Sequence, residues 1–256
     1  MSKMFMLKIV ITALVHFLIT IPSFVYYGYI NVRNRINAEL PNLDPVSNRH
    51  IVIYIHGMAG HYSCFHSLTG NVQTILSDPN ILHRFVQLDN TTQTLLDDDV
   101  KNLASQLDKY KDCKITLIGL SKGGLIAMRY ITTTNDNRVD KVITISSPLN
   151  GTYMADFLPS SSSIYKQLRH NSEITQEIAR ADISIPIYHI IPRWDHLIIP
   201  VESARYKDTD EKNVFYYDGF HGHLAITHSN DIAKFIAGTL KNPTKRQESV
   251  LAPTRS

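Results

Sequence analysis

The chain has few of the residues that mark disulfide-rich, metal-binding or nucleic-acid-binding proteins. Only two of its 256 residues are cysteines, and Cys64 and Cys113 have neither metal-ligand spacing nor the density of a disulfide scaffold. The 26 basic and 23 acidic residues are spread along the chain without a basic block, which argues against a nucleic-acid partner. We therefore expect two buried or half-buried thiols and no nucleic-acid partner.

Charged residues are absent from one long stretch. Residues 9–30 contain none in 22 positions, and a helix of that length spans roughly the 30 Å of a bilayer core. Lys3 and Lys8 precede it, as in a secretory signal, but the stretch is longer than a signal core and no small-x-small cleavage site follows. We predict that residues 1–30 form a retained single-pass transmembrane anchor. Basic residues on its two sides nearly balance, so the orientation stays open.

The rest of the chain alternates apolar β-rich runs with helical patterns. The 256-residue chain as a whole is 43% apolar, which is enough for one sizeable core. Alternating strands and helices indicate an α/β fold with a mostly parallel sheet and helices on both faces. We predict a linker over residues 31–49, one domain over 50–240 and a disordered polar tail over 241–256. The strands are predicted at residues 51–55, 84–88, 114–119, 141–145, 185–191 and 214–217.

Two helical regions of this domain bear on a possible site. Residues 152–182 have no strand pattern but carry apolar residues at helical spacing, which predicts a small helical cap over the carboxyl edge of the sheet. Asp97, Asp98 and Asp99 stand in the first turn of a helix predicted over residues 95–110. Carboxylates there favour the positive end of the helix dipole, so we interpret this triplet as a helix-capping group and not as a metal site.

A strand, a sharp turn and a helix surround Ser121. The apolar run at 114–119 ends at Gly119, Gly123 follows the serine, and a helix-forming segment starts at Leu125. The Gly-x-Ser-x-Gly pattern fits a turn too tight to admit a β-carbon on either side of the serine. Such a turn lifts the hydroxyl clear of the sheet edge, where a base and a carbonyl carbon can both reach it. Ser121 is therefore the predicted nucleophile.

A second loop points to the same chemistry. The strand at 51–55 ends in His56 and Gly57, where acyl-transfer enzymes of this layout place a backbone N–H donor for an oxyanion. Met58 would supply one N–H, and Lys122, the residue after the nucleophile, the other. We interpret His56 as a ring that is hydrogen-bonded to fix the loop.

The remaining polar candidates follow the later strands. Asp195 follows the strand at 185–191, and His221 and His223 follow the one at 214–217, so the chain order is nucleophile, acid, base, which is the α/β-hydrolase order. Asp218 is the alternative acid. The other histidines lack the pairwise spacing of a catalytic metal site, so we predict no metal and no cofactor. They are interpreted as surface or packing residues: His61, His66, His189, His196 and His228.

Five segments in this order resemble the lipase and esterase branch of the α/β-hydrolase superfamily, including small bacterial triacylglycerol lipases and inositol deacylases of lipid anchors. They are the predicted oxyanion loop, serine turn, post-strand segment, acid loop and histidine loop, at residues 55–60, 119–123, 145–152, 194–200 and 222–226. The likeness covers roughly residues 50–240. It selects His223 over His221 as the base, with Asp195 as its acid partner. It implies a serine hydrolase of carboxylic, lipid-type esters.

Two residues depart from the family pattern. Leu120 stands where a histidine is common, and Lys122 where a methionine or glutamine is common. A backbone donor does not depend on its side chain, but a lysine here could place a cation near the substrate. Two alternatives therefore stay open. One is a deacylase or acyltransferase acting on a lipid-linked glycan, and the other is a catalytically silent hydrolase fold that serves as a binding module.

Overall fold

A parallel β-sheet forms the centre of the molecule. The computed structural model describes residues 3–36, 44, 46–88, 94–158 and 161–241. Within these residues the sheet has six strands in the order β2-β1-β3-β4-β5-β6, and all neighbours are parallel. The strands are β1 His50–Ile55, β2 Ile81–Val86, β3 Lys114–Leu120, β4 Val139–Ile145, β5 Ile187–Pro192 and β6 Val214–Tyr217.

The strands are apolar along their whole length because both faces of the sheet are covered. In β1, Ile51, Ile53 and Ile55 belong to the core on one face, whereas Val52 and Tyr54 belong to the core on the other. Helices α3 and α4 cover the first face, and α2 and α8 the second. The helices are α1 Lys3–Ile36, α2 His66–Leu76, α3 Leu96–Leu107, α4 Lys122–Thr134, α5 Ser163–Leu168, α6 Glu173–Arg180, α7 Gly222–Ala225 and α8 Asn230–Lys241.

Several boundaries differ from the sequence-based expectation. Strand β2 starts at Ile81, three residues early, because it pairs with β1 from Ile81 opposite His50 onward. The predicted terminal helix is split into α7, a short 3-10 turn over Ile226–His228 and α8. Helix α1 includes residues 31–36, which the sequence assigned to a linker. Much of that linker and nearly all of the predicted tail, at residues 37–43, 45 and 242–256, lie outside the described residues.

The region predicted as a cap is helical. A 3-10 turn over Tyr153–Phe157 precedes α5 and α6. The apolar side chains of α5 and α6, at Ile164, Leu168, Ile174 and Ile178, join the core cluster that contains α3 and α4. Burying these side chains against the domain holds the region beside the sheet, and the cleft next to Ser121 is lined by α1 and not by the described residues of this region.

Helix α1 packs along the outside of the domain with one face inward. Ile9, Ala13 and Thr20 are buried, whereas the residues on the opposite side are exposed. Within the described part of the chain it is the one helix long and apolar enough to cross a membrane, over Lys3–Ser23, and a signal sequence would meet the same criteria. The two cysteines are free, with Cys64 partly exposed and Cys113 buried, as expected.

Candidate active site

Ser121 occupies a strained turn between β3 and α4. Its backbone has φ +54° and ψ −123°, a conformation that side-chain-bearing residues rarely adopt. A β-carbon at Gly119 would lie 2.4 Å from the backbone of Gly123, and one at Gly123 would lie 2.1 Å from the carbonyl oxygen of Ile55. Both glycines are therefore required by close backbone contacts, as the sequence pattern indicates.

Hydrogen bonds join Ser121 to His223 and His223 to Asp195. The distance from Ser121 Oγ to His223 Nε2 is 2.9 Å. On the other side of the ring, His223 Nδ1 lies 2.9 Å from Asp195 Oδ2 and 3.1 Å from Oδ1. Because a carboxylate only accepts hydrogen bonds, the proton is on Nδ1, and Nε2 is free to accept the proton of the serine hydroxyl. The three side chains that the sequence selected thus meet at the carboxyl edge of the sheet.

Asp195 is a buried carboxylate with several donors. Its Oδ1 accepts the backbone N–H groups of Leu197 and Ile198 at 2.8 and 2.9 Å, and its Oδ2 accepts a short hydrogen bond from the Ser146 hydroxyl. Burial alone would raise the pKa of Asp195, but His223, Ser146 and the Ile198 N–H together hold this pKa below its usual value. The carboxylate therefore stays ionised and fixes the orientation of the His223 ring.

The loop after β1 lies directly against Ser121. A β-carbon at Gly57 would be 3.0 Å from the Ser121 β-carbon, so the two backbones approach closely. His56 Nδ1–H donates to the Gly57 carbonyl at 2.9 Å, and His56 Nε2 accepts the Leu88 N–H at 3.1 Å. Burial lowers the pKa of His56 to about 4, so the ring is neutral. The interpretation of His56 as a residue that fixes the loop is confirmed.

His221 and Asp218, the alternative base and acid, have other partners. His221 Nδ1 hydrogen-bonds the Tyr217 hydroxyl, and its ring lies 5.2 Å from that of Tyr27. Asp218 is exposed and pairs with Arg193. Neither is among the described hydrogen-bond partners of Ser121 or His223. The structure therefore brings His223 and Asp195 to the serine, and not His221 and Asp218.

Lys122 does not place a cation in the site. Its side chain is 3% exposed and its ammonium lies 2.5 Å from Asp99 Oδ2 and 3.3 Å from the Thr94 carbonyl oxygen. The possibility that this lysine places a cation near the substrate has to be corrected, because its ammonium is paired with the buried Asp99 carboxylate. The capping interpretation of Asp99 needs the same correction, since its carboxylate is the buried partner of Lys122. The backbone N–H of Lys122 opens α4 and has no acceptor within the helix.

An apolar cleft of about 370 Å³ opens beside Ser121 and His223. Its lining includes Met58 and Ala59 from the loop after β1, and Val32 and Arg35 from α1. Leu197 and Leu224 complete its rim. The volume and the mainly apolar lining of the cleft suit an apolar ligand group. Among the described residues, no group of three His, Cys, Asp or Glu side chains could hold a metal ion.

Sequence reasoning missed two groups that contact the site. Ser146, which has φ +52°, donates to Asp195, and a single serine in a Ser-Ser-Pro segment gives no signal for this role. His16 of α1 donates from Nδ1 to the backbone carbonyl of Asp195 at 2.7 Å. His16 and Thr20 are four residues apart in an apolar run, so they share one face of the helix. That spacing was the signal that could have shown a face in contact with protein.

Comparison with known proteins agrees with this geometry. A family model for palmitoyl protein thioesterases matches residues 51–197. Aspergillus fumigatus lipase B superposes with a TM-score of 0.58 at 16% identity, over 72% of this chain and 50% of that one, so this chain spans half its length. Bacillus licheniformis lipase BlEst2 gives 0.55 at 14% identity, over 77% and 93%. A lipase-esterase related protein from Clostridium acetobutylicum gives 0.52 at 18%, over 78% and 96%. A search of curated proteins gives no match.

The fold and the family match together assign the chain to a class of proteins. The parallel sheet, its flanking helices and the solved neighbours are those of an α/β-hydrolase of the lipase and esterase type, and the protein is a serine ester hydrolase. The matched segment covers more than half of the 256 residues. The chain belongs to the palmitoyl protein thioesterase family.

Substitution of Gly123 tests the close packing of the turn. We expect Gly123→Ala to lower the free energy of unfolding by about 2 kcal/mol or more, because its new methyl group would overlap the Ile55 carbonyl. Gly70→Ala is the matched control, since Gly70 lies within α2 and a β-carbon there meets nothing within 4 Å. It should raise stability by about 0.5–1 kcal/mol. Denaturant unfolding measures both, and equal effects would contradict the packing argument.

Removal of Asp99 tests the buried ion pair. Asp99→Ala leaves the Lys122 ammonium buried without its carboxylate, and we expect a loss of about 3–5 kcal/mol in unfolding free energy. The double variant Asp99→Leu with Lys122→Met removes both charges and should recover most of that loss. Denaturant unfolding of the three proteins gives the comparison. A single variant as stable as the parent would show that the pair contributes nothing.

Proposed function

We propose that the protein is a membrane-associated serine hydrolase that cleaves lipid acyl esters through Ser121, His223 and Asp195. The observation that supports this most directly is the continuous hydrogen-bond chain from Ser121 Oγ through His223 to Asp195. In this proposal Ser121 is the nucleophile, His223 is the general base, and Asp195 is the carboxylate that orients His223. The assembled hydrogen bonds and the family match also favour an active enzyme over a silent binding module.

The proposed reaction has two steps. His223 Nε2 takes the Ser121 proton as Oγ attacks the ester carbonyl carbon, and the same proton then goes to the leaving alkoxide as the carbon–oxygen bond breaks. Water next attacks the acyl-serine carbonyl while His223 again accepts a proton, and His223 returns this proton to Ser121 Oγ as the acyl–serine bond breaks, which releases the fatty acid and regenerates the serine hydroxyl. Asp195 stabilises the imidazolium in both steps because it stays ionised beside Nδ1.

Backbone N–H groups of Met58 and Lys122 are the proposed oxyanion donors. The contact between Gly57 and Ser121 brings the first near the nucleophile, and the start of α4 supplies the second. Both are fixed before substrate binds, which is the condition under which such donors lower the barrier most. Because they are backbone groups, Lys122 can fill this role while its side chain pairs with Asp99.

The substrate class follows from the cleft and from α1. The cleft is lined mainly by apolar groups, which suits a fatty acyl chain. Among its described lining residues, Arg35 is the one Arg, Lys, Asp or Glu side chain. Membrane attachment through α1 is part of the proposal, supported by the apolar length of Lys3–Ser23. An acyl chain drawn from a membrane would reach a cleft that α1 itself borders.

An acyl thioester is a second candidate substrate. The specific observation in its favour is the match of residues 51–197 to the palmitoyl protein thioesterase model. The same serine chemistry would release a thiolate in place of an alkoxide, with His223 donating the proton. Both substrates offer the same acyl chain to the apolar cleft and differ in the atom that leaves, so a direct comparison of the two separates them.

Ser121→Ala tests the nucleophile. We expect hydrolysis of short and long acyl esters to fall by about 10³-fold or more, because no acyl-enzyme can form. Fluorophosphonate labelling should also disappear. Ser161→Ala, an exposed serine in the region before α5, is the matched control and should keep parental activity and labelling. Labelling of the Ser121→Ala protein would place the nucleophile elsewhere and overturn the proposal.

Competition between acyl donors tests the substrate class. We expect a palmitoyl oxygen ester of a glycerolipid to be cleaved with a higher kcat/KM than a palmitoyl thioester of a cysteine peptide. The reverse order would favour the second candidate. Mass spectrometry of products made with an added glycan or alcohol acceptor would detect transfer in place of hydrolysis, and a dominant transfer product would assign an acyltransferase.

A further inference from the structure

The first half of α1 is fixed to the loop that carries Asp195. His16 Nδ1 donates to the Asp195 carbonyl oxygen at 2.7 Å, and its ring meets Trp194 edge-on at 5.5 Å. One residue further, the Phe17 ring lies 5.4 Å from that of His196. A buried carbonyl that accepts from His16 has no water to replace this donor, so this contact binds the helix to the loop.

The second half of α1 is fixed to the segment that follows His223. Tyr27 stacks on His228 with ring centroids 4.3 Å apart, and His228 Nε2 donates to Asn31 Oδ1 at 3.0 Å. Between the halves, a β-carbon at Gly222 would lie 2.7 Å from Thr20, so a glycine there allows the helix to approach. Contacts with the domain therefore extend over most of the length of α1.

The opposite face of α1 is apolar and exposed. Most of its exposed apolar residues recur at three, four or seven positions and so form one stripe along the helix, whereas Phe5 and Met6 lie beside it. The residues of the stripe are Met4, Leu7, Val10, Ile11, Leu14, Val15, Leu18, Val25, Tyr26, Tyr29, Val32 and Ile36. A stripe of this length is too extensive to face water in an isolated monomer without a partner.

A membrane-crossing path for α1 conflicts with its inner face. Its 34 residues are roughly 51 Å long, and contacts with the domain continue from the His16 end to Asn31. If Lys3–Ser23 crossed the bilayer with these contacts intact, the Asp195 and His223 loops would enter the hydrocarbon core, where irregular backbone is not tolerated at the lipid surface. If it crossed without them, the buried Asp195 carbonyl would lose its donor.

Charge and position favour a lipid surface as the occupant of the stripe. Exposed cations stand near both ends of the helix, Lys3 and Lys8 at one and Arg35 at the other, and attract anionic phospholipid head groups. Val32 belongs both to the stripe and to the lining of the cleft. Leu197 and Leu224, also partly exposed, complete the cleft rim beside it. The stripe and the cleft mouth thus adjoin.

We propose that α1 docks the protein onto an anionic phospholipid surface, lying in the plane of the interface while it stays packed on the domain. The cleft then opens at the lipid surface, and the single-pass anchor expected from the sequence is replaced by an in-plane one. The docking rests on the packing of α1, whereas its use for lipid hydrolysis rests on the proposed function.

Vesicle binding tests the docking face. Sedimentation of the full chain with mixed phosphatidylcholine and phosphatidylglycerol vesicles should show binding that Leu18→Glu weakens about tenfold or more. Leu14→Glu on the same stripe should act alike, which guards against a folding defect in one variant. Ile75→Glu is the matched control, because Ile75 is a 39% exposed apolar residue of α2 away from the stripe, and it should bind as the parent does. Unchanged binding in both stripe variants would overturn the proposal.

Cysteine labelling tests the in-plane arrangement against a crossing helix. Lys3→Cys, Arg33→Cys and Lys101→Cys are each treated with a membrane-impermeant maleimide in sealed vesicles prepared from cells that express the full chain. Lys101 lies on α3 and marks the side of the membrane that the domain occupies. If α1 lies in the plane of the interface, all three cysteines are on one side of the membrane. The maleimide should therefore label all three or none of them. Opposite behaviour of Lys3→Cys would show a crossing helix and overturn the proposal.

Failure of the docking and failure of the hydrolase give different results. Fluorophosphonate labelling of Ser121 is measured in the same samples. If the protein binds vesicles and its three cysteines are on the same side, but the fluorophosphonate does not react, the proposed function is rejected and the docking is kept. Probe reaction without vesicle binding would reject the docking alone. A third outcome would also overturn the docking proposal. In it, the parent protein does not bind vesicles but forms a dimer through the stripe, and light scattering shows that Leu18→Glu is monomeric.

Discussion

The contact between two backbone segments is the constraint on which the site depends. The turn at Ser121 and the loop after β1 approach so closely that a β-carbon at Gly123 would overlap the Ile55 carbonyl, and one at Gly57 would press on Ser121. This contact supports the serine in its strained conformation. Both segments are backbone at the point of contact, so no side-chain rotamer has to be chosen for them to pack.

Buried charge is the second feature that organises this edge of the sheet. Asp195 is held by His223, Ser146 and two backbone N–H groups, and Asp99 by Lys122. Each carboxylate is compensated by partners that come from other parts of the chain, as a buried charge requires. The family and fold place the protein among serine ester hydrolases, and these pairs show how its particular residues support that layout. The departure at Lys122 is accommodated by Asp99.

Helix α1 shows where prediction from the sequence stopped. Its length and lack of charge were evident from residues 9–30, but its two faces could not be separated by hydrophobic periodicity, since Ile9 and Ala13 inside are as apolar as Leu14 and Leu18 outside. Only His16 and Thr20 mark the inner face. The α5 and α6 region is helical, as predicted. Its helices were predicted from spacing, but which surface they would bury depends on the shape of the α3 and α4 layer.

The amino-acid pattern was enough to predict the elements and their order: six apolar strands, the glycine-flanked turn at Ser121, and the later positions of Asp195 and His223. These follow from local chemistry, because strand periodicity, turn sterics and βαβ connection rules act over short stretches. Three features became evident only in the folded protein: Ser146 donates to Asp195, Asp99 pairs with Lys122, and α1 borders the cleft. Those features depend on distances between residues far apart in the chain, which are fixed only when the sheet and its layers have packed.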